Sequence, residues 1–218
     1  PSRPSDQGFQ ESLIHLAGGI GQVGDFTNYY AGNQSYFDPA LWHNNEIKKY
    51  EGYCSDIFTD EALKFIEQNK SNQFFCYLSF NAPHTPLQVP EKYYDLYKDI
   101  DPSNFYEEVT SEMTERDVND AKKIYGMVTN IDENFGKLLY KLEELDIKEN
   151  TIVIFLTDNG PQQTRYVSNL RGLKSQVYNG GIKVPLYFSY PKLYKKAKDI
   201  DFFGAHIDVL PTLSKLCN

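Results

Sequence analysis

The feature that most constrains the fold is a long amphipathic segment that is followed at once by a short apolar run. Over residues 121–145, apolar side chains recur at every third or fourth position, which is the spacing of one helix face. Residues 151–157 then read Thr-Ile-Val-Ile-Phe-Leu-Thr, a continuous run that is typical of a strand covered on both faces. A helix, a short turn and a buried strand make half of a parallel crossover unit. The sequence therefore predicts an α/β domain with a largely parallel sheet.

Composition limits the kinds of protein that this chain can be. Its 218 residues are 40% hydrophobic and 24% charged, which is typical of a globular domain with one sizeable core. The net charge of -8 provides no basic field for a polyanion, so we expect no nucleic-acid partner. No apolar run approaches the roughly 18 residues of a membrane span, and no charged and then apolar leader opens the chain. The sequence therefore predicts no membrane span, and it leaves the oligomeric state open.

The chain divides into two parts by its patterning. Residues 1–50 are rich in Gly, Asn and Tyr and have no sustained period, so we expect a long, partly irregular segment of the kind that often carries function. Residues 51–218 are expected to form the α/β core. Helical spacing occupies residues 55–69 and 208–216, and short apolar runs occupy residues 74–80 and 184–189.

Polar side chains follow the predicted strand at 151–157. Ligands of parallel α/β sheets gather at the carboxyl ends of the strands, which makes Asp158 and Asn159 candidate binding residues. A carboxylate and an amide oxygen side by side are donors suited to Ca²⁺ or Mg²⁺. Asn-Gly is also the strongest hairpin-turn dipeptide, so the residues alone leave a metal-ligand pair and a plain turn both open.

Two further side chains could contribute chemistry. His84 follows the apolar run at 74–80 and lies between Pro83 and Pro86, so its ring is expected on a stiff loop, where it is either a proton donor or a simple turn residue. Lys174 lies in a polar loop after Gly172, where its ammonium is either solvated or grips an anion. We expect these two side chains to share one pocket with the polar pair that follows residues 151–157.

Four segments follow one another along the chain in an order that is more specific than composition. They are Phe-Asn-Ala-Pro-His-Thr-Pro at 80–86, the strand with Asp-Asn-Gly at 151–160, the lysine loop at 170–185, and His-Ile-Asp-Val-Leu-Pro-Thr at 206–212. Taken together, these segments resemble the arylsulfatase family of the alkaline phosphatase superfamily. The resemblance implies a three-layer α/β/α sandwich that hydrolyses sulfate esters with a formylglycine nucleophile and a bound Ca²⁺. Residues 1–218 would then be the carboxyl-side part of the catalytic domain.

The same resemblance implies a role for each candidate residue. Asp158 and Asn159 look like two metal ligands, and Lys174 looks like the lysine that binds the sulfate. His84 looks like the histidine that contacts the sulfate ester and protonates the leaving oxygen. These roles agree with elementary chemistry, because cations stabilise charge on the sulfuryl oxygens and an imidazolium eases departure of an alkoxide. The implied substrate is a sulfated small molecule or glycan, and the implied location is periplasmic, extracellular or lysosomal.

The sequence departs from the family pattern at the nucleophile. The family oxidises the Cys or Ser of a C/S-x-P-x-R motif to formylglycine, and none of Cys54, Cys76 and Cys217 precedes a Pro-x-Arg at that spacing. We therefore expect the nucleophile to lie outside this chain and the chain by itself to be inactive.

Two other functions remain open at this point. A phosphodiesterase, phosphonate hydrolase or phosphomutase of the same superfamily would need more metal ligands, typically Asp and His for two ions. A non-catalytic carbohydrate-binding module is motivated by the 15% aromatic content and by the tyrosines of the irregular segment.

Overall fold

The computed structural model of the protein describes residues 3–16, 18–28, 35–105 and 113–217. The chain forms two compact units. The first comprises Pro1–Ile147 with Gln163–Tyr166, and the second comprises Lys148–Gln162 with Val167–Asn218. Among the described residues, no helix combines the length and the apolar character that crossing a membrane requires.

The first unit is built around three helices, α1 (Cys54–Asn69), α2 (Glu91–Tyr94) and α3 (Glu115–Glu144). The predicted amphipathic helix is confirmed as α3, which packs against both α1 and α2. Its apolar stripe is buried because it faces those helices. The buried apolar side chains of the stripe are Ala121, Ile124, Met127, Ile131 and Leu142.

A capping box starts α3. The hydroxyl of Thr114 accepts a hydrogen bond of 3.2 Å from the backbone N–H of Asp117, and the Asp117 carboxylate accepts one of 2.9 Å from the backbone N–H of Thr114. Each residue thus satisfies a donor that the first helical turn leaves without an intrahelical partner.

A buried polar cluster joins α1 to α3. One carboxylate oxygen of Asp56 accepts hydrogen bonds from the side-chain amides of Asn130, at 2.8 Å, and Asn134, at 2.7 Å. Both asparagines are fully buried. Buried polar groups are stable only when they are hydrogen-bonded, and bonds to a charged acceptor are the stronger kind.

A small antiparallel sheet lies within the segment predicted to be irregular. Its strands are β1 (Leu13–Ile14), β2 (Ala40–His43) and β3 (Glu46–Lys49), with β2 in the centre. Asn44 and Asn45 connect β2 to β3, and both have positive φ, which suits a tight two-residue hairpin.

The second unit contains β4 (Val153–Leu156), α4 (Asn179–Ile182), β5 (Leu186–Ser189) and α5 (Val209–Cys217). The strands predicted at 151–157 and 184–189 and the carboxyl-terminal helix are present, in keeping with the α/β class, whereas the apolar run at 74–80 forms no strand. The direction of pairing differs from the predicted parallel sheet, because β4 pairs with β5 in antiparallel register and every paired strand among the described residues is antiparallel. An unbroken apolar run indicates that a strand is covered, but it carries no information about the direction of its neighbour.

Candidate functional site

The loop that carries His84 is anchored through its backbone. The backbone N–H of His84 donates to the carbonyl oxygen of Asn81 at 3.0 Å, and the hydroxyl of Tyr36 donates to the carbonyl oxygen of His84 at 2.8 Å. The side-chain amide of Asn81 in turn donates to the hydroxyl of Tyr36. The position of His84 is therefore fixed by side chains of the first unit and not only by its flanking prolines.

Tyr36 lies in a buried aromatic frame. Its ring stacks on that of Tyr53, with centroids 5.8 Å apart, and its backbone N–H donates to the side-chain oxygen of Gln88 at 2.8 Å. Burial raises the pKa of Tyr36, and the nearby Cys54 adds to this shift. The hydroxyl is therefore a neutral, permanent donor to the histidine loop.

The ring of His84 meets a second cluster of polar groups. Its Nδ1 lies 2.9 Å from the carbonyl oxygen of Thr85 and 3.3 Å from the amide nitrogen of Gln22. The same amide nitrogen donates to the carbonyl oxygen of Thr85 at 2.8 Å and contacts its hydroxyl at 3.1 Å. Gln22 and Tyr36 were not identified from the sequence, because each lies far from His84 along the chain. Their only sequence signal is membership of the Gly, Asn and Tyr-rich segment.

A buried carboxylate organises the turn that holds Gln22. Asp25 is fully buried and accepts hydrogen bonds from the backbone N–H of Gly21 at 2.8 Å, the hydroxyl of Thr27 at 2.7 Å and the side-chain amide of Asn28 at 3.1 Å. Gly21 has a φ of 70°, and a Cβ there would lie 2.4 Å from the Ser35 hydroxyl oxygen. Only glycine fits this position.

In the second unit, Asp158 and Asn159 follow β4 after Thr157, at the strand end where the sequence placed them. Asp158 is exposed and Asn159 is half-buried. The side-chain amide nitrogen of Asn159 donates to the carbonyl oxygen of Gly160 at 2.8 Å, which leaves its side-chain oxygen as the atom that can bind a cation. The exposed carboxylate of Asp158 and the side-chain oxygen of Asn159 are thus the candidate oxygen donors of this strand end.

The lysine loop folds back onto this strand end. The backbone N–H of Lys174 donates to the carbonyl oxygen of Pro161 at 2.7 Å, and the backbone N–H of Gly160 donates to the carbonyl oxygen of Gly181 at 2.9 Å. A Cβ on Gly160 would lie 1.8 Å from the carbonyl oxygen of Gly180, so this close approach requires glycine. The structure thus brings the Lys174 loop to the segment that carries Asp158 and Asn159.

His84 belongs to the first unit, and the other three predicted site residues belong to the second. The common pocket for all four side chains stays a prediction.

The oxygen donors fit part of a Ca²⁺ site. Ca²⁺ takes six to eight oxygen ligands, and Asp158 and Asn159 supply carboxylate and amide oxygens of the right chemical kind. Over residues 3–16, 18–28, 35–105 and 113–217, no cluster of three or more His, Cys, Asp or Glu side chains could hold a metal ion. Asp158 and Asn159 are therefore compatible with a part, but not the whole, of the ligand set of a Ca²⁺ ion.

Comparison with known proteins identifies the family. Residues 5–218 match the model of the Sulfatase family. The chain is 26% identical to an uncharacterized sulfatase of Schizosaccharomyces pombe (strain 972 / ATCC 24843), over 98% of this chain and 52% of that protein. It is 27% identical to an arylsulfatase of Clostridium perfringens (strain 13 / Type A), over 83% of this chain and 43% of that protein.

The structure of Ps i-CgsB in complex with k-i-k-neocarrahexaose is similar as well. It matches with a TM-score of 0.69 and 29% identity, over 87% of this chain and 41% of that chain. The chain thus spans about half, or less, of the proteins that it matches. These relatives confirm the resemblance read from the four segments, and they favour neither the phosphate-ester enzymes nor a non-catalytic module. Because the family match covers nearly every residue, the chain belongs to the sulfatase family.

Proposed function

We propose that the full-length protein containing this chain hydrolyses sulfate esters. The observation that carries the proposal is the fold-back of the lysine loop, whose Lys174 backbone is hydrogen-bonded to Pro161, three residues after Asp158. This arrangement places an ammonium-bearing loop beside two oxygen donors. An anionic ester needs such local positive charge, because the net charge of -8 gives no general attraction.

Each candidate residue has a distinct part in the proposed reaction. Asp158 and Asn159 would hold a Ca²⁺, which when bound would offset the charge of the sulfuryl oxygens. Lys174 binds and orients the sulfate group through its ammonium. His84 donates a proton to the leaving oxygen, so that an alcohol departs in place of an alkoxide.

The nucleophile is supplied from outside these residues. The sequence contains no C/S-x-P-x-R motif, and we propose that the isolated chain releases no sulfate. The substrate that we propose is a sulfated glycan, which is supported by the similarity to a protein solved with k-i-k-neocarrahexaose. We also propose a periplasmic, extracellular or lysosomal location, which fractionation of the source cells would test.

The proposal is tested by comparing ester classes. The full-length protein is assayed with nitrophenyl sulfate and a sulfated oligosaccharide, in parallel with a nitrophenyl phosphate monoester and diester. We expect sulfate release that stops on chelation and returns with Ca²⁺. Turnover of the phosphate esters without sulfate release would assign the protein to the phosphate enzymes of the superfamily. Binding of the oligosaccharide without turnover of any ester would favour the non-catalytic module.

A further inference from the structure

We propose that Gln22 is a positioning residue for His84. Gln22 holds the Thr85 carbonyl group where it accepts the proton on Nδ1 of the His84 ring, and this leaves Nε2 as the nitrogen that exchanges a proton with the substrate. The inference rests on the proposed role of His84 as the acid, and it adds which nitrogen acts and which residue selects it.

The contacts of the His84 ring with Thr85 and Gln22 favour one tautomer. A carbonyl oxygen only accepts, so its contact of 2.9 Å with Nδ1 of His84 is a hydrogen bond when Nδ1 carries the ring hydrogen. The possible donors to a bare Nδ1 are farther away, the Gln22 amide nitrogen at 3.3 Å and the Thr85 hydroxyl at 3.4 Å, so the shortest contact favours a hydrogen on Nδ1. The amide nitrogen of Gln22 has two hydrogens, and the carbonyl and hydroxyl oxygens of Thr85 lie 2.8 and 3.1 Å from it. Gln22 therefore binds the acceptor of the ring proton, and it needs no hydrogen bond to the ring itself.

The backbone around Gln22 fixes its side chain. The backbone N–H of Gln22 donates to the carbonyl oxygen of Gly19 at 3.1 Å, and its carbonyl oxygen accepts from the backbone N–H of the buried Asp25 at 3.0 Å. Gly19 also leaves room for the side-chain amide. A Cβ on Gly19 would lie 2.9 Å from the amide carbon of Gln22 and 3.2 Å from its amide nitrogen. An alanine at position 19 would therefore push the amide away without removing any hydrogen-bonding group.

The selected tautomer suits an acid that works from one nitrogen. A protonated ring that gives up the hydrogen on Nε2 becomes the neutral tautomer with a hydrogen on Nδ1, so the bond to the Thr85 carbonyl persists through the transfer. Loss from Nδ1 would break that bond. In histidine sites, the hydrogen bond made by one ring nitrogen sets the state of the other.

The tautomer can be measured directly. In full-length protein labelled with ¹⁵N-histidine, at about pH 8.5, well above the ordinary histidine pKa of about 6.5, the ¹⁵N shifts distinguish the protonated ring nitrogen from the bare one. His84→Gln identifies the His84 signals by their loss. We expect a protonated Nδ1 in the wild type, and a mixture of tautomers in Gln22→Met, which keeps a long side chain without a donor.

Two further variants sharpen the test. Gly19→Ala should shift the His84 signals in the same direction as Gln22→Met, and it keeps the test decisive if Gln22→Met does not fold. Gln68→Ala, at an exposed position of α1, should leave the signals unchanged. A wild-type ring protonated at Nε2, or His84 signals that are the same in the wild type and in both the Gln22 and Gly19 variants, would overturn the proposal.

The kinetic consequence is a separate measurement. Gln22→Met should lower kcat for sulfate esters with poor leaving groups by about tenfold, because misplacing a catalytic group is costly, and it should leave KM unchanged. Activated aryl sulfates should respond less. An equal loss for both ester types would contradict positioning of an acid. A wild type without sulfate release would refute the proposed function, whereas the ¹⁵N shifts would still decide the role of Gln22.

Discussion

The hydroxyl of Tyr36 donates a hydrogen bond of 2.8 Å to the carbonyl oxygen of His84, across 48 residues of sequence. The donor is fully buried and the acceptor lies in a half-buried loop, so the bond connects the core of the first unit to the candidate acid. The His84 loop is thus anchored by the Tyr36 hydroxyl, which stays uncharged in the neutral pH range because burial raises its pKa.

Tyr36→Phe should destabilise the protein. The change removes the hydroxyl, and it leaves the His84 carbonyl oxygen and the Asn81 amide without this partner. We expect the free energy of unfolding to fall by about 1–3 kcal/mol, the usual cost of a buried polar group left unsatisfied. Urea denaturation measures the change. The control is Tyr140→Phe, at an exposed tyrosine of α3, and equal midpoints for the two variants would contradict the prediction.

Asp158→Ala should abolish the Ca²⁺-dependent activity of the full-length protein while the fold is retained. A lost ligand weakens the metal site and removes stabilisation of sulfate charge, so we expect a fall of about a hundredfold or more in kcat/KM. Calorimetric titration with Ca²⁺ and sulfate release provide the two measurements. Asp199→Ala, at an exposed carboxylate of the same unit, is the matched control. Undiminished turnover in Asp158→Ala would remove this residue from the ligand set.

His84→Gln should separate substrates by their leaving groups. General acid catalysis is worth about 10²–10⁴ in rate when the leaving group needs a proton. We therefore expect a large loss with alkyl or sugar sulfates and a small loss with activated aryl sulfates. Initial rates over a series of leaving groups measure the difference, with His15→Gln as the control in the same unit. A uniform loss across the series would show that His84 binds substrate without acting as the acid.

The capping box of α3 should make stability depend on acid pH. Hydrogen bonds from the hydroxyl and then the backbone N–H of Thr114 lower the pKa of Asp117 from its ordinary value of 3.8. A lowered pKa in the folded state means that the ionised carboxylate contributes stability above the unfolded-state pKa, and that this contribution is lost as pH falls through the folded-state pKa.

Asp117→Asn should accordingly destabilise the protein by about 0.5–1 kcal/mol at neutral pH. The difference from the wild type should close as the pH is lowered below about 4, in line with the ordinary carboxyl pKa. Urea unfolding at a series of pH values measures this difference. Asp132→Asn, at an exposed position on the same helix, is the control. If the difference in unfolding free energy between the wild type and Asp117→Asn stayed constant with pH, the ionised Asp117 carboxylate would not be the group that stabilises the cap.

The sequence predicted those parts of the structure that depend on residues close together along the chain. The period of the α3 face and the polar pair after the β4 run are local signals, and the structure has both where they were expected. The direction of the β4 and β5 pairing is not local, because the same apolar side chains suit either direction. The contact between Gln22 and His84 spans 62 residues, so no periodicity or spacing reports it. The roles of Asp158 and Lys174 came from resemblance to a family and not from pattern alone.

The two amide hydrogen bonds to Asp56 favour one alignment of α1 and α3 among the several that apolar packing alone would allow. Sliding α3 by one turn, about 5.4 Å, would move one of the two buried asparagines, Asn130 or Asn134, out of reach of the Asp56 carboxylate. The first residue of α1, Cys54, donates its backbone N–H to the carbonyl oxygen of Tyr36 at 2.8 Å. Tyr36 therefore connects the start of α1, through its backbone carbonyl, to the His84 loop, through its hydroxyl. The alignment of α1 with α3 in this way influences where the imidazole lies.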